Sequence, residues 1–272
     1  MMRSRSAYLL TGATVTALLV VAALVAPIVA PFDPAAVSLA EQFSPPSASH
    51  LFGTDESGRD LLLLLLHGTR VALGVSVPSV AVSALVGVSA GALAAERGGV
   101  ADNLVLRAVD VALAFPGVLL SIFLLFLTGK PSYPAVVLAL SLTGWASFAR
   151  IARAEVLRQR GMAYAEAARA LGLSRNRVLF RHLLPNCASA LLAQTSFALG
   201  SAILAETALS FLGLGPYGAP SWGAALDQGA SFFLIAPHLA IFPGLAVLTA
   251  VLGFNFLGDG LRDRLDPQTG FA

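Results

Sequence analysis

Uncharged apolar runs long enough to cross a bilayer dominate this chain. Val71 to Ala95 carries no ionisable residue at all. A helix needs roughly 20 apolar residues, at 1.5 Å rise each, to span the hydrocarbon core. Six stretches qualify: Tyr8–Ala30, Val71–Ala95, Val109–Gly129, Tyr133–Ala149, Cys187–Leu212 and Phe233–Leu257. Backbone polar groups in lipid must be satisfied within the spanning element. The expected fold is therefore all-α, a polytopic bundle of six transmembrane helices. Composition agrees: 57% of residues are hydrophobic and only 12% charged, about half the charge of an ordinary soluble domain. The mean hydropathy is +0.79. The single cysteine, Cys187, excludes an intrachain disulfide framework and a multi-cysteine metal site.

Two spans need comment. Arg3 and Arg5 precede the first, as in a signal peptide, but its apolar run exceeds a 7–15-residue signal core. Pro27 and Pro31 also sit beside the small residues Ala26 and Ala30, so an uncleaved helix is expected. The third span holds Phe115-Pro116-Gly117, which predicts a kink.

Orientation follows from the basic residues. With both termini inside, 14 of the 17 Lys and Arg residues fall on the cytoplasmic side. They include the cluster Arg150, Arg153, Arg158, Arg160, Arg169, Arg175, Arg177 and Arg181. Arg59, Arg70 and Lys130 remain outside. Three regions follow: residues 1–30 hold the cytoplasmic N-terminus and first helix, 31–70 an extracytoplasmic segment, and 71–272 a five-helix core.

The 31–70 segment opens as irregular chain through Pro31-Phe32-Asp33-Pro34 and Ser44-Pro45-Pro46. Thr54 or Asp55 is expected to cap a short helix whose leucine run, Leu61 to Leu66, lies at the membrane surface. His50, Asp55, Asp60 and His67 match no metal-ligand spacing and suit interfacial hydrogen bonding. A second external segment carries Pro216, Tyr217, Pro220 and Trp222 among glycines. It reads equally as part of an outer gate or as a re-entrant turn. Glu206 is the one carboxylate deep in a span with small neighbours. It must face protein or water, either in the passage, as a proton relay, or as a helix-packing hydrogen bond. Glu206, Phe211, Tyr217 and Trp222 are the candidate pathway or gate residues.

Chemistry is absent. There is no phosphate loop of the G-x-x-x-x-G-K-[ST] type, no H-E-x-x-H and no G-x-S-x-G. No catalytic residue, metal site or cofactor is expected in this chain. Energy for uphill transport must come from another subunit or from an ion gradient.

The largest charged island between spans runs from Gly161 to Asn186. It is expected to form two helices. The first, Met162 to Leu171, is Ala-rich, and Ala165, Ala167 and Ala168 offer a thin surface for a partner groove. Gly172 can adopt φ > 0 and end it. Ser174 would cap the second helix, which should stop before Pro185. The island can be a basic loop obeying the positive-inside rule, a helix-turn-helix mimic, or a transverse helix docked in an external ATPase. Two flanking spans leave no room for a nucleic-acid-binding domain.

Glu166-Ala167-Ala168, then Gly172, then His182-x-Leu184-Pro185 resembles the EAA loop of importer-type ATP-binding-cassette permeases. His182 stands where the usual residue is Ile, a departure familiar in the peptide and nickel branch. Further blocks resemble that branch: Leu51-Phe52-Gly53-Thr54-Asp55 with Gly58-Arg59-Asp60, Gly98-Gly99 with Asp102, Arg107 with Asp110 and Phe115-Pro116, and Leu209 to Gly215. The unbroken leucines after Asp60 depart from the family's usual polar or basic interruption. The chain is similar to the second permease subunit of a dipeptide, oligopeptide or nickel importer.

The resemblance implies a type I importer permease fold in the bacterial inner membrane. It implies a sister permease completing the pathway, one or two ATP-binding subunits carrying ATP and Mg, and an extracytoplasmic substrate-binding protein. It places ATPase coupling on Glu166, Ala167, Ala168, Gly172, Arg175, Arg177, His182, Leu184 and Pro185. Dipeptides or short oligopeptides lead as substrates, with nickel or a chelated metal as alternative. A stand-alone proton-coupled carrier using Glu206 would need duplicated halves, which are missing. A membrane enzyme lacks any convergent nucleophile and base.

Overall fold

The computed structural model describes residues 2–29, 37–129 and 131–265, and every regular element among them is helical. The Pro31-Phe32-Asp33-Pro34 stretch expected to open as irregular chain, Lys130 and the tail from 266 lie outside the described residues. The elements are α1 (Met2–Val29), α2 (Leu61–Arg97), α3 (Gly99–Ala114), α4 (Gly117–Thr128), α5 (Tyr133–Arg160), α6 (Ala163–Ala170), α7 (Arg175–Val178), α8 (Leu184–Asn186), α9 (Ala188–Phe211), α10 (Trp222–Ser231) and α11 (His238–Leu265). Five of them, α1, α2, α5, α9 and α11, are long and apolar enough to cross a membrane alone.

The third expected span is broken rather than kinked. α3 and α4 meet at 88°. Pro116 has no N–H to donate, and its ring drives Phe115 into extended backbone (φ −91°, ψ 137°). Counted as one bent span, the pair makes six.

The expected surface helix is likewise absent as a separate element. Asp60, not Thr54 or Asp55, is the cap: its Oδ1 accepts from the Leu63 N–H at 3.2 Å. Leu61 to Leu66 form the first turns of α2, because nothing between Leu66 and Val71 breaks the helix. Leu61, Leu64 and Leu65 face inward at helical spacing against Trp222, Ala225, Ala236 and Leu239. Thr54 and Asp55 are instead buried in the preceding loop. Asp55 accepts from the Ser57 and Arg59 N–H groups at 2.8 and 2.9 Å and pairs with the Arg59 guanidinium at 2.7 Å. His50 Nδ1 lies 2.9 Å from Asp60 Oδ2. Among the described residues no group of three or more His, Cys, Asp or Glu side chains could hold a metal ion.

α2 is the spine of the bundle. At 37 residues it extends about 55 Å. It packs most closely on α5 along a seam of small residues spaced four apart: Ser79, Ser83, Gly87 and Gly91. Ser83 Oγ donates to the Ser141 carbonyl at 3.2 Å. Ser141 Oγ donates back to the Ser79 carbonyl at 3.3 Å. A Cβ on Gly87 would sit 2.2 Å from the Trp145 carbonyl oxygen. This is the close backbone approach that small residues permit in lipid, where the hydrophobic effect does not press helices together. α1 lies against α11 by the same device, with the Cβ position of Gly12 2.3 Å from the Leu257 nitrogen.

Candidate functional site: a two-part helical prong

α6, α7 and α8 form a prong at the C-terminal end of α2. α6 ends in a Schellman motif. The Gly172 N–H donates to the Arg169 carbonyl at 2.9 Å and the Leu173 N–H to the Ala168 carbonyl at 3.3 Å. That geometry requires the left-handed backbone that Gly172 supplies (φ +81°). Ser174 begins α7 without a side-chain cap bond.

Pro185 does not stop the second helix. Leu179–Leu183 widen into a π-turn, α8 follows, and α9 begins at Ala188. The Leu184 N–H bonds five residues back, to the Leu179 carbonyl. The wider turn accommodates the missing N–H of Pro185 within the helical path.

The prong's inner side is a core of its own. Ala165, Ala168, Val178, Leu179, Leu183 and Cys187 pack on Ala92 and Ala95 of α2 and Val156 of α5. Ala168 and Ala165, expected on the partner-facing surface, therefore face inward. An eight-residue helix on a bundle must bury one stripe, and the i, i+3 pair of small residues forms it. Ala167 and Glu166 remain outside. Gly172, Arg175, Arg177, Arg181 and Pro185 are also exposed, while His182 and Leu184 are half-buried. Two apolar residues join this outer face: Leu171 is 83% exposed and Phe180 57%. Their exposure could not be read from sequence, because apolar residues beside a helix end ordinarily pack inward.

A polar chain fixes the prong to the bundle. Tyr164 Oη donates to Gln159 Oε1 at 2.8 Å, and Gln159 Nε2 donates to the Asn186 carbonyl at 3.2 Å. Desolvation raises the Tyr164 pKa above the ordinary tyrosine value. On the adjoining face Arg153 grips Asp102 through two bonds, at 2.6 and 2.7 Å, and ties α3 to α5.

The four candidate pathway residues part company. Glu206 is fully buried, and its Oε1 accepts from Ser210 Oγ at 2.6 Å. Trp222 is buried in the core, its Nε1 donating to the Leu65 carbonyl at 2.9 Å. Phe211 is 38% exposed and Tyr217 95%. A cavity of about 320 Å³ near this end is lined by His67, Arg70, Val71, Tyr133 and Pro220, and by none of the four.

Residues 87–270 match the family described as binding-protein-dependent transport system inner membrane component. The chain is 42% identical to the glutathione transport system permease protein GsiD of Pectobacterium atrosepticum over 224 residues, covering 82% of this chain and 74% of the relative. It is 35% identical to the dipeptide transport system permease protein DppC of Alkalihalophilus pseudofirmus, covering 95% of this chain and 85% of that protein. It is 34% identical to the oligopeptide transport system permease protein OppC of Bacillus subtilis, covering 98% and 88%. A helical bundle with a packed prong at one end and homology along nearly its whole length leads to one assignment: the chain belongs to the family of binding-protein-dependent transport system inner membrane components.

Proposed function

We propose that this chain is the permease subunit of an ATP-driven importer of dipeptides or short oligopeptides, forming half of the translocation pathway. Its prong is the docking element for a separate ATPase that binds ATP and Mg. A sister permease completes the pathway, and an extracytoplasmic substrate-binding protein delivers the peptide at the α2 N-terminal end. Both termini and the prong lie in the cytoplasm, in keeping with the crowding of Arg residues near α6 and α7.

One observation carries the reading. The prong is anchored by its own core yet turns Glu166, Ala167, Leu171 and Phe180 outward together with Arg175, Arg177 and Arg181. A rigid element with mixed apolar and basic character suits a protein groove with acidic or backbone acceptors. The names of the relatives supply the substrate class.

The test is co-purification of the complex, followed by ATP-dependent peptide uptake in proteoliposomes. Glu166→Lys should leave the permease inserted but release the ATPase or uncouple its hydrolysis from uptake. Unchanged coupled uptake in that variant would refute the docking role. Uptake by the chain without any ATPase would refute the importer reading.

A further inference from the structure

Where α2 ends, a carboxylate stands in an unfavourable place. Glu96 occupies the last turn of α2 with its side chain 4% exposed. The C-terminal end of a helix carries partial negative charge, so an acid there is disfavoured twice, by the dipole and by desolvation. Its counterion comes from the prong. Arg169, in the last turn of α6, places Nη2 3.6 Å from Glu96 Oε2.

The pair is close but not joined. A charge-assisted N–H···O bond runs at about 2.7–2.9 Å. Here both facing atoms are buried and neither makes a hydrogen bond. The rest of the Arg169 guanidinium reaches toward α5, with Nη1 3.4 Å from the Arg160 carbonyl. Arg160 in turn donates to the Ala95 carbonyl of α2 at 3.0 Å. Val156, Val178, Leu179 and Leu183 fill most of the shared core, and the buried residues that α2 and α6 themselves bring to it are alanines: Ala92 and Ala95 from α2, Ala165 and Ala168 from α6. Such short side chains give little interlocking, so the charged pair is the directional link between the two helices.

We propose that Glu96 and Arg169 are positioning residues for energy coupling, a strut that passes displacement of the docking helix α6 to α2. α2 then carries it to the far end, where Leu61, Leu64 and Leu65 pack beneath Trp222. A shift of under about 1 Å would bring the pair to hydrogen-bonding distance, so a small motion of the prong changes the bond between them. The inference rests on the ATP-driven reading above.

The experiment uses the whole reconstituted complex and measures peptide transported per ATP hydrolysed. Glu96→Gln keeps the shape and removes the charge. It should lower the stoichiometry roughly five-fold or more while ATPase docking persists. Arg169→Gln should do the same, and the double variant should be no worse than either alone. Arg169→Lys retains the cation and should recover most of the loss. A merely structural role would lower uptake and hydrolysis together and leave their ratio unchanged, which overturns the strut. If Glu96→Gln does not assemble, Arg169→Gln with Arg169→Lys carries the same comparison, since that side chain is 32% exposed. Wild-type uptake that proceeds without ATP would overturn the importer reading and the strut together. ATP-dependent wild-type uptake with an unaltered ratio in the variants overturns the strut alone.

Discussion

A Cβ on Gly91 would lie 2.1 Å from the carbonyl oxygen of Ala149, so α2 and α5 touch there backbone to backbone. No other residue type fits without separating the two helices. Gly91→Leu should therefore destabilise the bundle by roughly 1–3 kcal/mol or more. Gly74 offers the control, since a Cβ there meets only the Tyr133 ring at 3.7 Å. Gly74→Ala should be neutral or stabilising. Thermal melts of the two variants in the same detergent would check the contrast.

Asp102 and Arg153 are both partly buried and bonded through two contacts. Asp102→Asn removes the charge and one acceptor. The expected loss is roughly 1–2 kcal/mol, with α3 loosened from α5. Faster amide exchange confined to α3 would verify it, and protection equal to wild type would contradict it.

Trp222 serves two functions, filling the core above Leu61, Leu64 and Leu65 and donating to the Leu65 carbonyl. Trp222→Phe keeps most of the ring and loses the bond, for about 1 kcal/mol. Trp222→Ala opens a cavity and should cost about 3–5 kcal/mol. Denaturation midpoints of both variants would separate packing from hydrogen bonding.

Gly172 has open space around its Cβ position, so substitutions there test backbone conformation alone. Gly172→Ala forces an L-residue to φ +81°, for roughly 1–2 kcal/mol. Asn tolerates that region better, and Gly172→Asn should be milder. With insertion unchanged, coupled uptake should fall in the order wild type, Asn, Ala.

Cys187 is buried, and its thiol donates to the Leu183 carbonyl at 3.2 Å. A membrane-permeant maleimide should leave it unmodified in the folded protein and label it fully after denaturation. Rapid native labelling, read by mass spectrometry, would show that the prong core opens.

Much of this architecture was readable residue by residue. The left-handed turn at Gly172 follows from what a single residue can adopt. Phe115-Pro116 marks where the helix breaks but not the 88° angle, because proline dictates where a helix fails and packing dictates the angle. The leucine run opens α2 rather than a separate surface helix, since periodicity cannot tell an interfacial turn from the start of a buried spine. The Gly87-x-x-x-Gly91 spacing lies in the chain without naming its partner. It becomes meaningful only beside Trp145 and Ala149, far along the sequence.

The chain's own sequence therefore determined the helical class, the position of nearly every span, the existence of the prong and its family. These depend on hydropathy and on local backbone preferences, which act over a few neighbouring residues. Tertiary structure alone decided which stripe of α6 turns inward, that Pro185 is absorbed in a π-turn, that Trp222 is a core pin, and that Glu96 meets Arg169. Each of those is a contact between segments distant in the chain, and its energy exists only once the helices are packed.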